Sequence, residues 1–258
     1  MARPLDILSP PSEERAPARE ASPALISETF VSLQGEGALV GTPSWFCRFS
    51  GCNLRCTWCD TPYASWKPEG VKRTPGELAE EAIASGVRHA VLTGGEPMIF
   101  PQLRPLCERL TAAGMHVTIE TAGTVDREIP FDLMSLSPKL SNSTPTADPR
   151  DPSGAWAQRH EARRLDFDAL QTLIDRSSLP GRARQFKFVV TGRDDLAEID
   201  DLLARLDRWK PEEIFLMPEG VSVPSPDSVR WVVELCTRRG WRYGHRLHIE
   251  LFGDTRGT

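Results

Sequence analysis

The sequence predicts an α/β fold with a largely parallel sheet, and three observations carry that expectation. From Leu25 onward, short runs rich in β-branched and aromatic residues alternate with amphipathic stretches of helix length, the pattern of strands joined by helical crossovers. Several of the runs are apolar on both faces, as strands covered by helices are. The helix-length stretches open on recognisable start signals.

The expected strands, in order, are 45–50 (WFCRFS), 89–93 (HAVLT), 116–121 (HVTIET), 133–137 (LMSLS), 185–191 (QFKFVVT), 213–218 (EIFLMP) and 246–252 (RLHIELF). Helices are expected near 75–85, 101–113, 166–176, 194–207 and 226–239. Thr74 before Pro75 and Ser225 before Pro226 place a hydroxyl cap ahead of a proline, whose missing N–H costs nothing at the first helical position; Pro101 after Phe100 is a similar signal. Residues 1–24 are rich in Pro, Ala, Ser, Arg and Glu without periodicity and read as a disordered leader, leaving 25–258 as a single domain. Segment 142–164 breaks the alternation with turn formers and charges. It is expected as an inserted loop, long enough to serve as a lid.

A chain of 258 residues hides roughly 70–75% of its unfolded surface, so it needs neither metal nor disulfide to fold, and any metal serves function. Its six cysteines come without an apolar signal region at the start, which points to the reducing cytosol. No apolar run approaches the ~18–20 residues that cross a bilayer. A net charge of −5 argues against a general nucleic-acid surface, leaving small-molecule chemistry as the expectation. The basic run TRRGWRYGHR at 237–246 could touch phosphate or stacked bases, but a solvated helix end and loop is the ordinary reading.

The stretch GCNLRCTWCD at 51–60 sets Cys52, Cys56 and Cys59 directly after a strand, at the end where α/β folds place chemistry. Three thiols are one short of a structural zinc site and odd for a disulfide framework. Three thiolates on a [4Fe–4S] cluster leave one iron open, and the amine and carboxylate of S-adenosylmethionine (SAM) could chelate it. An electron passed into the sulfonium would then break a carbon–sulfur bond and leave a 5′-deoxyadenosyl radical. C-x3-C-x2-C, with Trp58 before the last cysteine, resembles the radical SAM signature. LTGGEP at 92–97 resembles the glycine-rich stretch of that superfamily, which implies that Gly94, Gly95 and Glu96 bind SAM. A zinc knuckle completed by Cys47 or a histidine stays open as an alternative. Cys47, Cys107 and Cys236 otherwise read as buried fillers.

The longer stretch ETFVSLQGEG…GTPSWFCRFSGCNLRCTWCDTPYA closely resembles the 7-carboxy-7-deazaguanine synthase (QueE) family, with the likeness running from about Ile26 to Thr144 and resuming loosely near the end of the chain. The resemblance implies an incomplete (β/α) barrel that converts 6-carboxy-5,6,7,8-tetrahydropterin to 7-carboxy-7-deazaguanine with loss of ammonia. It implies pterin contacts at Leu33, Gln34, Gly35, Arg48 and Thr93, with His248 near the substrate as well. A pterin edge suits Gln34, and a carboxylate suits the Arg48 fork better than a lysine. Ser137, Pro138 and Lys139, and more loosely Met217, Pro218, Glu219 and Gly220, match SAM-binding stretches. Thr61 matches a Mg2+ ligand, with Asp60 beside it or capping a turn; few protein ligands are needed because magnesium keeps water.

Glu120, at a strand end in IETAG, is the candidate catalytic residue for a proton transfer, a structural carboxylate being its alternative. An electron donor such as flavodoxin or ferredoxin and a homodimer are implied partners, with no membrane and no direct nucleic-acid contact. Two other readings compete: an activase that installs a glycyl radical on a partner protein, and a non-enzymatic zinc or iron-sulfur protein. An activase has no evident reason to set LQGEG and Arg48 beside the cluster.

Overall fold

Side-chain alternation with period two decides the architecture. The computed structural model describes residues 22–258, and in it nine strands form one sheet. They are β1 (Ala24–Leu33), β2 (Pro43–Phe49), β3 (Val71–Arg73), β4 (His89–Gly94), β5 (His116–Thr121), β6 (Leu133–Leu136), β7 (Ala183–Val190), β8 (Ile214–Pro218) and β9 (Arg242–Tyr243). Their order is β3-β1-β2-β4-β5-β6-β7-β8-β9. Every pair from β2 to β9 is parallel, whereas β1 runs antiparallel to both β2 and β3. The result is a partial (β/α) barrel, as the family resemblance implies.

The helices are α1 (Pro62–Ser65), α2 (Pro75–Ala84), α3 (Leu103–Ala112), α4 (Ala155–Glu161), α5 (Phe167–Ser177), α6 (Asp195–Ala204), α7 (Pro226–Arg239) and α8 (Leu247–Phe252). Thr74 and Glu77 form a reciprocal capping box on α2, and the Ser225 hydroxyl caps α7 by accepting from Ser228 N. One face of the sheet packs on the helices: Trp45, Cys47, Phe49, Leu92, Ile119, Leu136, Phe186, Phe188 and Leu216 all lie in the apolar core. The intervening residues occupy the concave face. Register carries the parity across strands, since Glu120 lies opposite Ser135 and Ser135 opposite Gln185. The barrel interior therefore mixes polar side chains with Phe46, Val91, Val189 and Met217, where the opposite face is apolar.

Two expectations need correction, and a third lies almost wholly outside the described residues. The leader expected over 1–24 lies, for residues 1–21, outside the described residues, and Ala24 already opens β1. The loop expected at 142–164 contains α4 and is bonded to the cysteine loop. RLHIELF, expected as a strand, forms α8 instead. Its alternation of Leu247, Ile249 and Leu251 imitates a strand, but the sheet ends at the two-residue β9 and the chain turns away from it. Leu247 N donates to Gly35 O at 2.8 Å instead, and of the apolar three only Ile249 is buried. Among the described residues no helix is long and apolar enough to cross a membrane.

Candidate active site

The concave face opens into a cavity of about 760 Å³ at the carboxyl ends of the strands. Cys52, Cys56 and Cys59 line it, carried by the loop that leaves β2. Gly94 and Gly95, at the end of the neighbouring β4, press against that loop: Gly95 N donates to Phe49 O, and Glu96 N to Gly51 O, both at 2.9 Å. A Cβ on Gly94 would overlap the Phe49 backbone, and one on Gly95 would overlap Gly51 and Ala64. Gly94 also holds a φ of +141°. The two motifs singled out in the sequence are thus one structural unit, and glycine is required because backbone packs on backbone.

Burial pushes the Cys52 thiol up to about 12, with Glu96 and Cys59 adding to it. Burial raises Cys56 as well, Lys139 alone opposing. Thiols in that setting ionise when a strong cation arrives, which fits an iron-sulfur cluster. Among the described residues no three His, Cys, Asp or Glu side chains converge tightly enough for a single ion. Cys47 cannot complete a zinc knuckle, because it points into the apolar core.

Segment 142–164 braces this loop from outside. His160 is fully buried; its Nδ1 accepts from Arg55 N at 3.1 Å, and its Nε2 lies 2.8 Å from Ser143 Oγ. The Ser143 hydroxyl gives its own hydrogen to Leu140 O, so His160 is the neutral tautomer with the proton on Nε2. Thr57 N donates to Ser143 O at 2.9 Å, and Trp58 Nε1 to Asn142 O at 3.1 Å. The Arg55 guanidinium stacks over Trp156 and that of Arg150 over Trp66.

The opposite wall is charged. Arg48 Nε donates to Glu28, and Gln34 Nε2 donates to Glu120 Oε1 at 3.2 Å. Leu33, Gln34 and Gly35 reach the cavity on the turn between β1 and β2, where Gly35 packs so closely on His248 that a Cβ would enter the imidazole ring. Thr61, Thr93, Ser137, Lys139 and Met217 line the same space. Glu96 does not line it: fully buried, its carboxylate accepts from Met98 N, Thr121 Oγ1 and Ala122 N and holds the turn below the glycines. Pro138 also lies off the cavity, and Pro218, Glu219 and Gly220 border a smaller hollow beside it.

Glu36, Lys187 and Arg246 line the cavity without having been picked out from the sequence. For Lys187 a signal existed: a charge between two aromatics in an otherwise apolar strand marks an inward polar position. Arg246 is the member of the basic run 237–246 that lines the cavity, whereas Arg239 pairs with Asp200 and Arg242 stacks over Phe215.

Residues 47–144 match the Radical SAM superfamily. The chain is 48% identical to the 7-carboxy-7-deazaguanine synthase of Rhodopirellula baltica, over 99% of this chain and 98% of that one. It is 46% identical to the synthase of Halobacterium salinarum, over 92% and 93% of the two chains. The crystal structure of QueE from Escherichia coli resembles it with a TM-score of 0.69 at 27% identity, covering 93% of this chain and 100% of that one. With a cysteine loop and glycine turn built as one unit, and with likeness spanning nearly the whole chain, the protein belongs to the 7-carboxy-7-deazaguanine synthase family of radical SAM enzymes, whose cofactors are a [4Fe–4S] cluster and SAM.

Proposed function

We propose that this chain converts 6-carboxy-5,6,7,8-tetrahydropterin to 7-carboxy-7-deazaguanine with loss of ammonia, a lyase step in 7-deazapurine (queuosine-type) biosynthesis. The observation that supports it most is the meeting, in one cavity, of three cysteines and a glycine pair with a polar wall of Gln34, Arg48, Thr93 and Glu120. The cluster on Cys52, Cys56 and Cys59, with SAM, would supply a 5′-deoxyadenosyl radical able to take hydrogen from an unactivated carbon.

The remaining work falls to the chain's own groups. The Arg48 fork takes the substrate carboxylate. Leu33, Gln34 and Gly35 read the pterin edge, Thr93 contacts the ring, and Glu120 carries the proton transfer. Burial, with Arg246 and Lys187 adding to it, lowers the His248 pKa against Glu36 and Asp60. Gly94 and Gly95, with Ser137, Lys139 and Met217, hold SAM on a turn that Glu96 fixes. Thr61, whose side chain lines the cavity, would hold a Mg2+ ion through its hydroxyl, and the ion would supply positive charge for substrate oxygens. The same reading carries an external one-electron donor such as flavodoxin or ferredoxin, a homodimer and a cytoplasmic setting.

An activase reading leaves the polar wall unexplained, because an activase carries no pterin to recognise. The deciding experiment is anaerobic turnover of the pterin with SAM, dithionite and magnesium, followed by product mass. Appearance of 7-carboxy-7-deazaguanine without matching net SAM loss is expected. SAM cleavage that leaves the pterin intact would overturn the substrate assignment and keep the superfamily chemistry.

A further inference from the structure

Strand β7 carries a lysine between two phenylalanines, in QFKFVV. Phe186 and Phe188 enter the apolar core, so Lys187 faces the cavity, where its side chain is 5% exposed. An ammonium that far out of water needs anionic partners. It has two, Glu36 Oε2 at 2.6 Å and Glu120 Oε2 at 2.5 Å. They come from distant parts of the chain, Glu36 from the turn after β1 and Glu120 from β5.

Both oxygens touch one nitrogen, so they lie no more than about 5 Å apart. Carboxylates that close do not both ionise readily unless a cation sits between them, and one of the pair otherwise keeps a proton. The other groups facing this cluster are Arg246, whose Nε is 3.6 Å from Glu36 Oε1, and His248, with Gln34 on the far oxygen of Glu120 and Asp60 acting on His248 across the cavity. Burial raises the Glu36 carboxyl, but Lys187, Arg246 and His248 outweigh it and hold it down at about 2. Lys187 itself is lowered by burial and raised by the two carboxylates, with the carboxylates prevailing. It is therefore a fixed charge and a poor proton donor.

We propose that Lys187 is a positioning residue for the ring contraction: it holds Glu36 and Glu120 side by side as ionised acceptors, so that the substrate's N–H groups meet a fixed anionic pair while Arg48 engages the substrate carboxylate. The inference rests on the reading that places the pterin against Gln34, Arg48 and Glu120. It goes beyond that reading by assigning the wall's charge state to one lysine on the far side of the barrel.

The test compares wild type, Lys187→Met and Lys187→Arg, each reconstituted anaerobically and matched for cluster absorbance, by the pH dependence of kcat/KM for the pterin. In Lys187→Met the acidic limb should move up by about one to two pH units and KM should rise about tenfold or more. Lys187→Arg should keep the limb near its wild-type position, since the charge remains. Adding Glu36→Gln to Lys187→Met should bring the limb back, because a single carboxylate has no neighbour to repel. A folded Lys187→Met with wild-type limb and KM overturns the inference. Should Lys187→Met not fold, anaerobic calorimetry of the wild-type chain with the pterin, in buffers of different ionisation heat, reads the same point. No net proton exchange at pH 7 supports a pair already ionised, and release or uptake of a whole proton overturns it. Wild-type enzyme that leaves the pterin intact would instead overturn the substrate reading beneath.

Discussion

Glu28 and Arg48 stand directly opposite one another on β1 and β2, and Arg48 Nε meets Glu28 Oε1 at 2.7 Å. The same carboxylate accepts from Tyr63 OH at 2.9 Å and from Arg256 Nε at 3.0 Å. Burial raises Glu28, but Arg48, Tyr63 and Arg256 more than offset it, so the carboxyl sits below its ordinary range. Because Nε is held from behind, the outer edge of the guanidinium is left to face the cavity. Glu28→Gln keeps the shape and loses the charge, and it should raise the KM for the pterin about tenfold, as a charge-assisted hydrogen bond worth roughly 1.5–3 kcal/mol would. Substrate-independent SAM cleavage should not change. Steady-state kinetics against the pterin check this, and an unaltered KM would show that Arg48 needs no orienting partner.

His160→Ala removes the side chain that ties segment 142–164 to the cysteine loop and leaves the Arg55 N–H without its buried acceptor. An unsatisfied buried donor costs about 1–3 kcal/mol. The variant should melt several degrees lower, and its reconstituted cluster should bleach faster in the presence of a chelator. Bleaching at the wild-type rate would mean that the segment does not brace the cluster.

Two buried histidines make the fold acid-sensitive. Burial lowers both His89 and His160 to about 4. His89 is held neutral between Ser44 Oγ and Thr118 Oγ1, each at 2.7 Å. In the unfolded chain both titrate near 6.5, so unfolded molecules bind protons first, and stability falls as the pH drops from about 6.5 to about 4. The loss is up to about 3 kcal/mol for each histidine. Denaturant unfolding between pH 7 and 4.5 should show the decline, and His89→Gln should remove about half of it, leaving the part due to His160.

Gly95→Ala is expected to be severe, because a methyl group would meet two stretches of backbone with no flexible side chain to yield. SAM affinity should fall by at least tenfold, read by equilibrium binding, while Gly76→Ala, whose Cβ would meet nothing nearer than Thr74 Oγ1 at 3.9 Å, should leave SAM binding at the wild-type level. Tight SAM binding in Gly95→Ala would show that the loop can be displaced without harm.

The cysteine loop and the glycine turn are legible in the sequence because each is local: its residues are neighbours in the chain, and its spacing survives without the fold. The strands β2 and β4 to β8 are legible for a similar reason, being short apolar runs between helices with real caps. The charged wall is another matter. Glu36, Lys187 and Arg246 meet only because β1, β7 and the turn after β9 curve onto one cavity, a fact that no local pattern carries. Helix α8 misleads because three apolar residues at period two fit a strand, whereas its backbone bond to Gly35 shows only in three dimensions. Glu96 carries the motif's acidic side chain, yet its carboxylate turns inward, which spacing cannot reveal.

The cysteines fall within eight consecutive positions, whereas Glu36 and Lys187 are 151 positions apart. Closing a short loop is fast, and pairing across most of a chain comes late. The ligand set is therefore specified by one short stretch of chain, whereas the charged wall exists only when β1, β5 and β7 are all in place. Damage to the fold far from the cysteines would thus remove substrate recognition while leaving the three ligands adjacent in sequence.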